Sequence, residues 1–147
     1  MQIKIQSTDG VIWQWESDKI TIPTSKWEIT ILPNHAQMIS DIAKWVIKIY
    51  TQAPLQELED KYIYTDWAIV LSINEWLLYI WDNNINIMSW YVSVNPTESA
   101  EHLSDLKTQL QTELANIDRQ IDPDEYMNIL NQIEKINSDI RLHKFTI

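Results

Sequence analysis

Three histidines are the residues of this chain best suited to bind a metal or to transfer a proton. His35, His102 and His143 lie far apart in the sequence and on three different predicted elements. No pair of histidines has the short spacing that presets a zinc or iron site. We therefore expect each histidine to have a structural role, and we predict no metal site.

The sequence also lacks the usual motifs for nucleotide binding and for a catalytic nucleophile. Gly10 is the only glycine, whereas a phosphate-binding loop or a dinucleotide fingerprint needs several glycines. Ser25, Ser72 and Ser89 lie near predicted strand ends, but none has the flanking motif of a nucleophile elbow or an identifiable base. We therefore expect no catalytic residue and no cofactor.

The charge balance limits the partners of the chain. Its 21 acidic and 11 basic side chains give a net charge of −10, which repels nucleic acid phosphates and anionic lipid headgroups. The absence of cysteine suits a reducing compartment. There is no signal-peptide pattern at the amino terminus and no apolar run long enough to span a bilayer. We expect a cytoplasmic protein that binds neither nucleic acid nor lipid directly.

The hydrophobic pattern changes once, near residue 94. Before that point apolar residues alternate with polar ones in short runs, as at Ile20 and Ile22, and turn residues separate the runs. This pattern predicts an all-β sandwich domain over residues 1–94 with antiparallel strands. The polar stretch 51–61, with Pro54 and acidic residues at positions 57, 59 and 60, is predicted to be an enlarged hairpin loop.

From residue 95 the pattern becomes helical. Asn95-Pro96-Thr97-Glu98 and Asp122-Pro123-Asp124-Glu125 each place a capping side chain, a proline and a glutamate at the spacing of a helix start. The short connection between the helices predicts an antiparallel α-helical hairpin over residues 95–147. Apolar stripes are predicted at Leu103, Leu106, Leu110, Leu114, Ile117 and Ile121, and at Tyr126, Leu130, Ile133, Ile136 and Ile140. We expect a hairpin held by modest contacts and therefore able to move.

Tryptophan and glycine occur in the wrong proportion for a β protein rich in turns. The chain has 8 tryptophans and 1 glycine, whereas glycine normally makes up about 7% of residues and supplies the positive φ of tight turns. Trp27 and Trp81 stand where turns are expected. Our hypothesis is that the gene uses UGA as a glycine codon and that the written sequence translates it as tryptophan.

Two segments carry a resemblance to a known family. Residues 9–15 read DGVIWQW, and residues 20–36 read ITIPTSKWEITILPNHA. With its predicted sandwich and hairpin, the chain resembles the epsilon subunit of the F-type rotary ATP synthase over its whole length. Thr30 replaces a common glycine, Gln37 replaces a proline, and the stretch 72–76 is longer than the family's Ser-Gly-Gly.

The resemblance implies a mechanical role at the foot of the central stalk. The sandwich would bind the gamma subunit and the polar loops of the c-ring, on the cytoplasmic face of the cell membrane. The resemblance places Lys26, Trp27 and Glu28 against the c-ring and His35 near gamma. It implies a non-catalytic subunit that transmits the torque of proton or sodium passage.

The same resemblance sharpens the hypothesis about tryptophan. The family usually has glycine where this chain has Trp15, Trp27 and Trp45, and a Gly-Gly pair near Trp76. At Trp13 the family tolerates an aromatic residue, so this tryptophan is expected to be genuine.

The hairpin is the regulatory part of the family. It can fold onto the sandwich, or extend along gamma toward the alpha/beta head and block hydrolysis. In some members ATP bound by an Ile-Asp-x-x-Arg-Ala motif holds the folded form. Here residues 99–103 read SAEHL, and Arg141 is the only arginine on the second helix. We therefore expect no ATP binding.

Two other functions are open from the residues alone. A sandwich rich in tryptophan could bind carbohydrate, because exposed aromatic faces stack on sugars. Trp13 and Trp15 could share one face, whereas Trp27 and Trp81 fall at turns. An unrelated adaptor with two domains is the third class of function.

Overall fold

A computed structural model describes residues 1–52, 55–58 and 60–146. Eleven strands precede two long helices in this part of the chain, and a single helical turn lies between the sixth and seventh strands. The elements are β1 (Gln2–Ser7), β2 (Gly10–Glu16), β3 (Lys19–Pro23), β4 (Glu28–Ile31), β5 (Met38–Ile42), β6 (Trp45–Tyr50), α1 (Leu55–Leu58), β7 (Ile63–Thr65), β8 (Ala68–Ile73), β9 (Trp76–Trp81), β10 (Asn84–Ser89), β11 (Val92–Ser93), α2 (Ala100–Ala115) and α3 (Pro123–His143).

The strands form two sheets that pack face to face. Sheet 1 has the order β2-β1-β10-β9-β5, and sheet 2 has the order β11-β8-β6-β3-β4 with β7 beside β8. Inward side chains such as Ile3, Ile5, Ile85 and Ile87 are fully or almost fully buried, while their neighbours along the strand are not. This alternation confirms the predicted sandwich.

The two helices form the predicted hairpin, and α3 docks it onto sheet 2. α3 packs against β6, β8 and β11, whereas α2 packs mainly on α3. Leu142 on α3 is fully buried in a small cluster with Val46, Ile63 and Val70. Since sheet 2 has the core on one side and α3 on the other, all six residues of β8 are buried.

The first helix begins later than its proline predicts. Its N-cap is Ser99, whose Oγ accepts a hydrogen bond from the His102 backbone N–H at 3.1 Å. The start predicted at Asn95-Pro96 is therefore wrong, because Ser99 satisfies the free amide groups of the helix instead. The second start is confirmed: Asp122 caps α3 through the Glu125 N–H at 3.2 Å, with proline in the first turn.

The apolar stripes are only partly as predicted. On α2 Leu103 is buried, whereas Ile121 lies in the turn between the helices and is 82% exposed. On α3 the buried residues include Ile129 and Leu142, which the predicted stripe omits. The difference arises because α3 contacts both α2 and sheet 2, so its buried face is wider than one stripe.

Two details of the sandwich differ from a simple antiparallel order. β1 pairs with β10 in parallel, while all the other strand pairings of the described chain are antiparallel. β6 and β7 both pair with β8 rather than with each other, so the predicted hairpin loop between them is wrong. Residues 54 and 59 of that stretch lie outside the described residues.

Candidate partner-binding site

The turn between β3 and β4 presents the residues expected to face a ring of partner loops. Lys26, Trp27 and Glu28 are all exposed, with Trp27 at 65%. Thr24 holds this turn: its Oγ1 donates to the Trp27 carbonyl at 2.6 Å and accepts from the Trp27 N–H at 3.2 Å. A turn fixed by its own side chain loses less conformational entropy on binding than a flexible one would.

A contact with β5 also braces this turn. The Ser25 N–H donates to a carboxylate oxygen of Asp41 at 3.1 Å, and the Ala43 N–H donates to the Pro23 carbonyl at 3.0 Å. Hydrogen bonding by Ser25, chiefly through its side chain, lowers the pKa of the Asp41 carboxyl from its usual value. The Asp41 carboxylate is therefore charged at neutral pH when it accepts the hydrogen bond from the turn.

His35 lies in a second rigid loop, between β4 and β5. Its ring Nδ1 donates to the Ala36 carbonyl at 2.8 Å, and its backbone N–H donates to the Leu32 carbonyl at 3.2 Å. Asn34 has a φ of 64°, and its N–H donates to the Asn83 side chain at 2.8 Å. The loop is thus tied to the turn between β9 and β10, and the His35 side chain is exposed.

The two loops lie at opposite ends of β4. Glu28 begins that strand, and the loop with His35 follows its last residue, Ile31. The structure therefore does not bring the four predicted contact residues into one site. It presents two separate surfaces at the two ends of the sandwich, an arrangement suited to two partners.

Polar contacts hold α3 on sheet 2 beside the apolar cluster. Ser138 Oγ donates to Ser72 Oγ at 2.9 Å, and both serines are fully buried. Arg141 Nη1 donates to Ser72 Oγ at 3.2 Å and to the Ile73 carbonyl at 3.1 Å. Burial lowers the pKa of Arg141, and Glu134 opposes that effect. Ser72 is therefore a docking residue, with its hydroxyl engaged by α3.

A second polar cluster lies where β11 leads into the hairpin. The Asp139 carboxylate accepts hydrogen bonds from the Tyr91 hydroxyl at 3.2 Å and from the Ser93 hydroxyl. The pKa of Tyr91 is raised to about 12. Burial of the side chain is the largest cause, and the negative charge of the Asp139 carboxylate is the second. Sequence reasoning missed Tyr91, Ser93 and Asp139, because side chains about 46 residues apart give no local signal.

The raised pKa of Tyr91 predicts a loss of stability in alkali. A neutral Tyr91 stabilises the fold fully below pH 10, and this contribution is lost as the pH rises from 10.0 to about 12. We expect the thermal unfolding midpoint of the parent to fall more steeply over that range than that of Tyr91→Phe. Tyr79→Phe, on sheet 1, is the control and is expected to follow the parent. Parallel curves for parent and Tyr91→Phe would contradict the prediction.

The remaining histidines lie near the junction of sandwich and hairpin. His143 Nε2 donates to the Glu98 carbonyl at 2.7 Å, and His102 Nε2 lies 3.4 Å from the Glu98 carboxylate. Within the described ranges no group of three or more potential ligands could hold a metal ion.

Comparison with known families identifies the sandwich. Residues 1–87 match the model described as "ATP synthase, Delta/Epsilon chain, beta-sandwich domain". The chain belongs to this family. The ATP synthase epsilon chain of the Tupiella akineta chloroplast is 27% identical over 104 residues, which are 71% of this chain and 66% of that relative. The match thus spans slightly less than two thirds of the relative's length.

Solved structures extend the likeness to the hairpin. A chain of the Euglena gracilis mitochondrial ATP synthase (OSCP/F1/c-ring) matches 97% of this chain and 78% of its own length, with a TM-score of 0.61 and 13% identity. A chain of the Tetrahymena thermophila mitochondrial ATP synthase central stalk and c-ring matches 70% of this chain and 69% of its own, with a TM-score of 0.51 and 9% identity. At these identities the likeness concerns the fold.

In this Delta/Epsilon chain family member one of the eight tryptophans is buried and the other seven are exposed. Trp13, in the middle of β2, is 2% exposed and packs its ring edge-on against Tyr62, with centroids 5.1 Å apart. The other tryptophans are between 39% and 82% exposed and lie within or next to turns, or at or near strand ends: Trp15, Trp27, Trp45, Trp67, Trp76, Trp81 and Trp90. They are distributed over several strands and turns of both sheets, and Trp76 and Trp90 stack on each other with their ring centroids 4.5 Å apart.

Trp67 has the backbone conformation of a glycine. It follows Asp66 in the turn between β7 and β8, and these residues have φ values of 66° and 52°. Two consecutive positive φ values in a two-residue hairpin turn are typical of Asp-Gly. The backbone therefore supports a translated glycine codon at Trp67, whereas the other tryptophans of the described residues have no positive φ.

No helix in the described ranges has the length and apolar character needed to cross a membrane.

Proposed function

We propose that this chain is the epsilon subunit of an F-type ATP synthase, a central-stalk component that couples c-ring rotation to the catalytic head through gamma. One observation carries the proposal: the family match over residues 1–87 continues into a fold likeness that covers 97% of the chain, including the hairpin. The proposed boundary between the sandwich and the hairpin lies between residues 94 and 95.

The proposed role is mechanical and non-catalytic. Thr24 fixes one contact loop by an internal hydrogen bond, and the Asn34 N–H ties the other loop to the side chain of Asn83. The sandwich between them has a continuous isoleucine-rich core, which resists shear. Such a body transmits torque between two partners without a reacting group. The proposed location is the cytoplasmic face of the cell membrane, as a peripheral part of the complex.

The proposed contacts follow from the two loops. Lys26, Trp27 and Glu28 bind the polar loops of the c-ring, and His35 lies against gamma. The chain contains no cysteine, so a single introduced thiol reports on one position. In the assembled complex, Lys26→Cys is expected to crosslink to the c subunit and His35→Cys to gamma. Gln14→Cys, at an exposed position of β2 outside both contact loops and the hairpin, is the control for random crosslinking. Exchange of these two partners, or crosslinks from neither loop, would contradict the assignment.

The hairpin is proposed to regulate hydrolysis by leaving sheet 2 and reaching the alpha/beta head. Folding of this element onto the sandwich needs no nucleotide here, because the buried polar contacts are made by Ser72, Ser138 and Arg141 themselves. A calorimetric titration of the isolated protein with ATP is therefore expected to show no binding. A millimolar or tighter Kd would contradict this prediction.

A further inference from the structure

A cavity lies beside β2, the edge strand of sheet 1, and neither contact loop contributes to it. Its volume is about 320 Å³, at the small end of the range for small-molecule sites. Strand β2, the end of α1 and the two residues before β7 line the cavity: Val11, Ile12, Trp13, Gln14, Trp15, Leu58, Lys61 and Tyr62. The cavity is therefore separate from the surfaces proposed for the c-ring and gamma, and from the hairpin.

The wall of this cavity is largely aromatic and apolar. Trp13, Leu58 and Tyr62 are almost fully buried. The rings of Trp13 and Tyr62 meet edge to face, with an angle of 74° between their planes. The Tyr62 hydroxyl donates to the Ile12 carbonyl at 2.8 Å, which fixes its ring beside β2. Rings in fixed orientations offer a flat apolar group a preformed packing surface.

One hydrogen-bond donor in the wall is unused. The Nε1–H of Trp13 is buried and has no acceptor in the part of the chain that the structure describes. A buried donor without a partner costs free energy, and an acceptor on a ligand restores that free energy. Because this N–H is covered, a ligand reaches it by displacing a neighbouring side chain. Lys61, which is long and exposed, is the member of the lining best suited to move.

The cavity carries a positive charge, although the chain as a whole has a net charge of −10. Lys61 is the only charged residue among the described residues of the lining. Its Nζ lies 5.3 Å from the centroid of the Tyr62 ring, and it forms no ion pair with another described residue. A carboxylate matches both features, because it accepts from an N–H and pairs with an ammonium group.

We propose that this cavity binds a small aromatic monocarboxylate. The ring of the ligand packs against Trp13 and Leu58, and its carboxylate accepts from the Trp13 Nε1–H and pairs with the Lys61 ammonium group. This binding site is independent of the proposed stalk function, because no residue of its lining belongs to a contact loop or to the hairpin. It is also independent of the codon hypothesis, since Trp13 is the tryptophan expected to be genuine.

Calorimetric titration of the full chain with 2-naphthoate tests the site, and 2-naphthalenemethanol is the neutral ligand of similar shape. We expect a Kd of about 1 mM or tighter for the carboxylate and binding at least about fivefold weaker for the alcohol. Lys61→Gln is expected to raise the Kd of the carboxylate by about threefold or more and to leave that of the alcohol within about twofold.

A second lysine with the same kind of aromatic contact provides the matched control. Lys19 Nζ lies 3.9 Å from the centroid of the Tyr50 ring, and neither residue lines the cavity. Lys19→Gln is expected to leave the Kd of 2-naphthoate within about twofold of the parent value. An equal response of the Lys61→Gln and Lys19→Gln variants would overturn the role of the Lys61 charge.

The indole N–H of Trp13 provides a second readout by NMR of isotope-labelled protein. We expect 2-naphthoate to shift one indole N–H resonance more than the others, and Trp13→Phe to remove that resonance. Thermal unfolding checks that Trp13→Phe folds, and Lys61→Gln is the variant that leaves the core unchanged. The largest shift at a resonance that Trp13→Phe retains would overturn the site. Absence of both heat and shift at about 5 mM 2-naphthoate would overturn the proposed ligand class, and would leave the stalk function untouched.

Discussion

Leu142→Ala is expected to release the hairpin from the sandwich while the sandwich stays folded. Leu142 is fully buried against Val46, Ile63 and Val70 of sheet 2. Truncation of a buried leucine costs about 2–5 kcal/mol. We expect this cost to weaken the docking of α3 on sheet 2. In the described part of the chain, Leu142 is the only α3 residue that shares a buried apolar cluster with strand residues. Hydrogen exchange of the α3 amides should speed up by one or more orders of magnitude, since about 1.4 kcal/mol corresponds to a factor of ten.

An exposed residue on the same helix provides the control. Met127 is 44% exposed, and Met127→Ala is expected to leave exchange in α3 close to that of the parent. Unchanged protection of α3 in Leu142→Ala would contradict the account of docking. Equal loss of protection in β3 and α3 would show that hairpin and sandwich unfold as one unit.

Two tryptophan substitutions are expected to change stability in opposite directions. Trp67→Gly should raise the free energy of unfolding by about 1 kcal/mol, because a side chain at positive φ costs about that much and this ring is 82% exposed. Trp13→Gly should lower it by at least about 3–5 kcal/mol, because the ring is buried in the core. Denaturant unfolding measures both changes.

Trp27→Gly is the matched control for the first change. Trp27 is exposed, but its φ is not among the positive ones, so no strain is relieved there. Destabilisation by Trp67→Gly would contradict the assignment of a glycine conformation to this turn. The intact mass of the native protein tests the codon hypothesis separately. We expect a mass below that of the written sequence by one tryptophan-to-glycine difference per translated UGA, and agreement with the written sequence would end the hypothesis.

The sequence predicts local structure well where the signal is local, such as the alternation of apolar residues along a strand or the cap of a helix. Ile3 and Ile5 alternate with polar residues and are fully buried, and Asp122 with Pro123 starts α3 as expected. The start of α2 was less determined, because Asn95 and Ser99 are both good caps. β8 gives no alternation, since α3 covers its outer side and all its residues are buried.

Docking and partner surfaces depend on residues that are distant in the chain. Ser72 and Arg141 are separated by 69 positions, so no spacing rule links them. Neighbours across a sheet also depend on the order of its strands, because Ile39 and Tyr79 meet only when β5 pairs with β9. The resemblance named the contact loops, but the structure is needed to show that they lie at opposite ends of β4.

Affinity purification of the tagged chain from native membranes shows directly whether it is a subunit of the ATP synthase. We expect gamma and the c subunit to co-purify with it in fixed proportion, together with the catalytic head. Recovery of the chain alone, or with proteins unrelated to the ATP synthase, would contradict it.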